Sequence, residues 1–127
     1  MATTAEVVFE HCHTALKVRD LEAQIKFFTE VVGLKVDRVG GDAARPTGVW
    51  MQALQLVRDE NLDTANKGVL DHIGIAVGNI EEIMASLVAN NVTIEMPISD
   101  RSRPGVPLRI AFFRDPENNR IELTDRT

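Results

Sequence analysis

Two stretches of the chain alternate apolar and polar positions and then change period. In residues 72–77, Ile73, Ile75 and Val77 fall on one side of the alternation, and His72, Gly74 and Ala76 fall on the other. A period of two with one bulky apolar face predicts a strand packed on a core. The opposite face begins with His and continues with small residues, which leaves room for a cavity. Residues 13–18 repeat the scheme, with Leu16 and Val18 opposing His13 and Ala15. The period then lengthens towards that of a helix. Leu21, Ile25, Phe28 and Val32 form one apolar stripe, and Ile80, Met84, Leu87 and Val88 form another. Asp20 and Asn79 stand where N-caps belong, and Asn79 with Glu82 resembles a capping box. Gly33 closes the first predicted helix and Asn90–Asn91 the second.

Strand-like sequence follows each helix: "LKVDRV" and "GVWMQALQLV" in the first half, "VTIEM", "LRIAFFRD" and "RIELTD" in the second. "DPENN" reads as a turn, because Pro116 fixes φ and Asn tolerates the left-handed region. Gly40–Gly41 reads as a turn and not as a phosphate cradle, since no GxGxxG spacing with a following helix accompanies it.

The two halves say the same thing twice. Set above one another, His13 matches His72, Ala15 matches Gly74, Leu16 matches Ile75 and Val18 matches Val77. Asp20, Leu21 and Glu22 match Asn79, Ile80 and Glu81. The coarse unit is β-α-β-β-β, with the fourth strand of the first copy weakly marked. Units at 7–60 and 69–126 are expected within one domain spanning 1–127, and the polar run "NLDTANKG" (61–68) reads as their linker.

Composition narrows the function classes. The 127 residues are 44% hydrophobic and 26% charged, with a net charge of −5. Without a Lys/Arg run, neither nucleic acid nor an anionic membrane surface is an expected partner. No apolar segment approaches the ~20 residues that cross a bilayer. The start "MATTAEVVFEH" lacks the pattern of a secretory signal. Cys12, the sole cysteine, fits a reducing cytoplasm.

The repeat H-x-[AG]-[LI]-x-V-x-[DN]-[LI]-E, with the later "FFRDPENNRIEL", resembles the vicinal oxygen chelate superfamily: the glyoxalase I, bleomycin-resistance and extradiol-dioxygenase group. The resemblance covers roughly residues 9–126. It implies an α+β fold of two tandem βαβββ modules forming a half-open barrel, with one divalent metal (Ni, Co, Mn, Zn or Fe(II)) in its cavity. Family ligands lie on the first and last strand of each module. Carried over, they are His13, His72 and Glu122, with Gln55 in "ALQLV" as the fourth. Period two sets Gln55 on the Ala53 face, with Leu54 and Leu56 opposite. A competing alignment matches "QLVRDEN" to "AFFRDPEN" and moves the first module's last strand into 61–66.

Two imidazoles and a carboxylate suit a borderline first-row ion, and an amide oxygen adds a weaker donor. Taken singly, His13 and His72 would each read as ordinary strand histidines, and Glu122 as a solvent-facing charge. Their recurrence at repeat positions favours a site. His11 reads as a partly exposed edge histidine. Arg101, Arg103 and Arg109 cluster around the second module's loop, where a solvated face competes with a grip on a substrate carboxylate or phosphate. Arg103, Arg109 and Trp50, which lies near Gln55, are the candidate substrate-binding residues.

The resemblance implies a metal-dependent isomerase, epimerase or lyase. It would act on a small chelating oxygenated substrate through an enolate-type intermediate, with Glu122 as ligand and base, in a homodimer. Two alternatives stand beside it. His13, His72 and Glu122 alone form the facial triad of an Fe(II) extradiol-type dioxygenase, although those enzymes typically add a His and a Tyr, and this chain has no Tyr. A non-catalytic drug-binding resistance protein shares the fold but lacks the ligands. Fosfomycin-type thiol transferases share the three ligands, but their potassium loop and tyrosine are not found here.

Overall fold

The structure, a computed structural model, describes residues 13–127 apart from Ala53, Lys67 and Val69. His11, Cys12 and the expected start of the first module at residue 7 lie outside the described residues. Two four-stranded mixed sheets carry the chain. β1 (Thr14–Val18), β2 (Arg38–Asp42), β3 (Arg45–Met51) and β4 (Leu54–Arg58) form the first, in the order β1-β4-β3-β2. β5 (Ile73–Val77), β6 (Ile94–Asp100), β7 (Arg109–Arg114) and β8 (Arg120–Asp125) form the second, in the order β5-β8-β7-β6. In each sheet the first strand pairs parallel with the last, and the other pairs are antiparallel. No ladder joins the two sheets among the described residues, so the strands close no barrel.

Alternation sorts β1, β4, β5 and β8 as the sequence predicts. Leu16, Val18, Leu54 and Leu56 of the first sheet, and Ile73, Ile121 and Leu123 of the second, enter one shared core. The opposite faces stay open to solvent: Ala15, Gln55 and Trp50 on the first sheet, Gly74, Glu122 and Arg120 on the second. No helix among the described residues is long and apolar enough to cross a membrane.

The first helix departs from the predicted stripe. α1 (Leu21–Lys26) runs into a π-helical stretch, Phe27–Val32, which ends at Gly33 with φ 101°. Leu21, Gln24, Phe27, Phe28 and Val32 are buried while Ile25 is only partly so. α2 (Ile80–Ala89) keeps a regular stripe, but Ile83 enters it and Val88 remains exposed. The helical layers meet where Ser86 Oγ donates to the Val31 carbonyl at 2.6 Å.

The caps come partly from far away. Asp20 caps α1 as expected, accepting from Ala23 N–H at 3.1 Å. Asn79 occupies the N-cap position of α2 without a capping hydrogen bond. Asp125, on β8, accepts the Ile80 N–H in its place. The "DPENN" turn does more than reverse the chain. Asp115 organises it by accepting from the N–H groups of Glu117 and Asn119. Glu117 then accepts from the N–H groups of Arg19 and Asp20, at 2.7 and 2.8 Å, at the entry to α1. Burial holds the Asp115 carboxyl above the usual carboxylate range, against hydrogen bonds from Asn119, Gln24 and Glu117. A turn of the second unit thus fastens the first helix.

"GVWMQALQLV" is a hairpin rather than one strand. It breaks at Gln52, where φ is +58° and the N–H donates to Asp37 Oδ2 at 2.6 Å. Gly40–Gly41 is a bulge inside β2, with the reversal itself at residues 43–44. Residues 61–66, where the competing alignment needs a strand, form turns and irregular chain and join no sheet.

Candidate metal centre

The parallel pairing at the heart of each sheet fixes what faces what. On the first sheet Ala15 lies opposite Gln55, and on the second Gly74 lies opposite Glu122. Across the antiparallel pair, Trp50 lies opposite Gln55 and Phe112 opposite Glu122. Gln55 and Glu122 therefore occupy the same place in two equivalent registers. His13 and His72 each stand one residue before the first strand, on the same open face. The echo between "QLVRDEN" and "AFFRDPEN" has no counterpart in the sheets, since Leu54–Arg58 is a last strand and Arg109–Arg114 a third strand.

The second half-site is the more constructed. His72 Nε2 stands 3.9 Å from Glu122 Oε1, and Thr124 Oγ1 donates to that oxygen at 3.2 Å. Gly74 lies beside Glu122, and a Cβ there would rest in ordinary contact with Oε1, at 3.5 Å. The edge of the His72 ring meets Phe112, with centroids 5.4 Å apart. On its other side His72 Nδ1 stands 2.6 Å from Asp71 Oδ2. Arg120 lies 4.0 Å over the Phe112 ring, reaching Asp71 at 3.0 Å and Glu95 at 2.6 Å. The Asp71 carboxyl is held below its ordinary range, first by the hydrogen bond to His72 and then by burial-opposed attraction to Arg120. Glu95 is lowered chiefly by Arg120 and further by Arg114.

The first half-site is barer. His13 is exposed, Gln55 is half-buried, and Trp50 is covered by the Arg38 guanidinium at 3.9 Å. Glycine at 40 gives the indole room: a Cβ there would meet it at 3.2 Å.

The four predicted ligands fall into these two pairs. Among the described residues, no group of three or more His, Cys, Asp and Glu side chains gathers closely enough to hold a metal, so His13 does not join His72 and Glu122. The second pair does fit a divalent ion. Two donors ~2.1 Å from a tetrahedral ion lie ~3.4 Å apart, so the pair, now 3.9 Å apart, would close by about half an ångström on binding one.

The arginines predicted for substrate binding stand elsewhere. Arg109 shares the core-facing parity of Ala111 and Phe113, and its guanidinium serves Glu81 on α2 and Asp125. Arg103 closes the tip of the β6–β7 loop through paired backbone hydrogen bonds with Val106. Trp50 stays beside Gln55, as expected. Asp71, Phe112, Arg120 and Arg38 were not anticipated. Arg120 lies two residues from Glu122 and Asp71 directly precedes His72, so period two and adjacency were the available signals. A separate apolar cavity of about 260 Å³ is lined by residues of both sheets, among them Thr14, Met51, Leu54, Ile73 and Ile75, and touches this site at Gly74.

Comparison with known proteins follows the same outline. The family model described as Glyoxalase/Bleomycin resistance protein/Dioxygenase superfamily matches residues 12–123. A lactoylglutathione lyase of Schizosaccharomyces pombe is 27% identical over all of this chain, which spans 51% of that protein's length. A probable lactoylglutathione lyase of Vibrio parahaemolyticus is 30% identical, with 87% of this chain and 86% of that one aligned. Among solved structures, the trypanothione-dependent glyoxalase I of Leishmania major superposes with a TM-score of 0.70 at 26% identity, covering 94% of this chain and 88% of that one.

Proposed function

The chain belongs to the glyoxalase/bleomycin resistance protein/dioxygenase superfamily, and within it we propose a divalent-metal-dependent lyase or isomerase of the glyoxalase I type. The observation that carries this reading is the His72–Glu122 pair on an open sheet face, with Gln55 in the register place of Glu122 on the other sheet. The lactoylglutathione lyases among its relatives indicate the substrate class, a glutathione thioester of a 2-hydroxy acid and the isomeric hemithioacetal of glutathione with a 2-oxoaldehyde.

His72, Glu122, His13 and Gln55 would hold the ion. A bound divalent ion supplies positive charge to two adjacent substrate oxygens. Glu122 accepts the proton from the carbon beside the carbonyl and returns it to its neighbour. Thr124 Oγ1 orients the Glu122 carboxylate. Trp50 and Phe112 flank the last-strand donors and exclude water from one side of each. The four donors come together across a homodimer in this reading, His13 and Gln55 of one chain facing His72 and Glu122 of its partner. Support comes from the split of the donors into two pairs within one chain. A cytoplasmic location accompanies it.

The test begins with the metal content of untagged protein, then reconstitution with Ni, Co, Mn, Zn and Fe(II), and assay of lactoylglutathione turnover. About one ion per chain, lost in His72→Ala, supports the reading. No ion under any condition overturns it in favour of a binding protein. Catechol-dependent oxygen uptake confined to the Fe(II) form replaces it with a dioxygenase. Mixing inactive His13→Ala and His72→Ala chains tests the shared site: random exchange restores about a quarter of the sites if they span the dimer, and none if each lies within one chain.

A further inference from the structure

We propose that Asp71 is a positioning residue that fixes His72 in the Nδ1–H tautomer, leaving the Nε2 lone pair on the Glu122 side free to bind a metal ion. It rests on the reading of His72 as a metal donor and adds the group that makes it one. A carboxylate can only accept, so the 2.6 Å contact places the imidazole proton on Nδ1. The lone pair is then on Nε2, the nitrogen that faces Glu122 at 3.9 Å. A histidine that binds metal through one nitrogen commonly gives its other N–H to a carboxylate, which orients the ring and raises its basicity.

Asp71 is itself held, although its side chain is 77% exposed. Arg120 reaches Asp71 Oδ2 through Nη1, lies on Phe112, and is anchored at its other edge by Glu95, which Arg114 also engages. Phe112 in turn supports the His72 ring. Ring, carboxylate, guanidinium and aromatic face thus form one braced unit. Among the described residues, the first sheet shows no equivalent brace. With Thr14 opposite Leu54 and Ile73 opposite Ile121, the sequence places of Asp71 and Arg120 are taken there by Cys12 and Ala53. The repeat supplied two histidines and braced one of them, so the second half-site is where the ion is held most firmly.

The test compares wild type with Asp71→Leu, which removes the acceptor and keeps a branched side chain at an exposed position, and Asp71→Asn, which keeps an acceptor oxygen without the charge. Zinc and cobalt dissociation constants are measured by competition with a chromophoric chelator. The His72 tautomer in the metal-free protein is read from two-bond 1H–15N correlations. Expected are zinc affinity lowered about 10- to 100-fold in Asp71→Leu, a smaller loss in Asp71→Asn, and transfer of the proton from Nδ1 towards Nε2 in Asp71→Leu with its fold intact. Unchanged affinity and tautomer in Asp71→Leu, with wild type binding zinc, overturn this inference and leave the metal reading standing. A wild-type chain that takes up neither ion overturns the metal reading, and this inference with it.

Discussion

The two sheets share a register and differ in chemistry. At matched places the first has Gln55, Trp50 and an exposed His13, while the second has Glu122, Phe112 and a His72 tied to Asp71. Each sheet stacks one arginine on its aromatic residue. In the first it is Arg38, from β2, paired with no carboxylate among the described residues. In the second it is Arg120, from β8, neutralised by Glu95 and Asp71. Register is set by backbone pairing and core packing, and a slip of one residue would expose every apolar side chain. The open face carries no such penalty. The copies therefore stayed superimposable at the core while their open faces specialised, one towards charge and the other towards a barer, cationic surface.

The largest expected effect removes the charge from the second half. Glu122→Gln makes the two last-strand donors alike, and lactoylglutathione turnover should fall by about 10²–10⁴-fold, measured at saturating metal. Loss of less than tenfold would mean that Glu122 is not the group that moves the proton. The next effect concerns stability, where the copies differ in how their helices are capped. Glu117→Ala strips the acceptor from two N–H groups at the entry of α1 and should cost about 1–3 kcal/mol in denaturant unfolding. Asn79→Ala, at the N-cap of α2, should cost much less than the ~1 kcal/mol usual for that position, because Asp125 does the capping. Equal losses would erase the contrast. Smaller again, Gln55→Glu gives the first half the donor of the second and should tighten divalent-metal binding about tenfold, since affinity rises with ligand charge. No change would mean that Gln55 does not reach the ion.

These contrasts also mark what the chain reveals unaided. Period two was sufficient for β1, β4, β5 and β8, because one face of each is buried, and it set Gln55 and Glu122 on equivalent open faces before any pairing was known. The helix stripe was less legible. Gln24 and Phe27 are buried where the stripe predicts Ile25, and no local residue announces the π turn at Phe27–Val32 that follows. The break at Gln52 lacks Gly, Asn or Pro, since its N–H is satisfied by Asp37, fifteen residues earlier. Long-range caps such as Glu117 on Arg19 and Asp125 on Ile80 are invisible to any local pattern. Arg109 and Arg120 look alike in sequence. The ladder Arg109↔Asp125 sends the first to the helix side, and Arg120 shares the open face of Glu122.

The smallest effect sharpens the comparison on the helix side. Glu22 and Glu81 match in the repeat, and each pairs with an arginine of its own sheet, Arg58 and Arg109. Asp125 stands in the second sheet where Arg58 stands in the first, so Arg109 must come from a neighbouring strand and divide itself between two acids. The undivided hydrogen bond with Arg58 lowers the Glu22 pKa from 4.5 to about 2. Glu81 is lowered chiefly by Arg109, but the nearby Asp125 charge works against it. A carboxylate with a depressed folded-state pKa stabilises the fold above its unfolded value and loses that contribution as pH falls through the folded one. Melting temperature should therefore decline between pH 4.5 and about 2 in part through Glu22. Glu22→Gln should flatten that limb more than Glu81→Gln does, and salt should shrink both differences because the pairs are exposed. Equal flattening would mean that sharing Arg109 costs the second pair nothing.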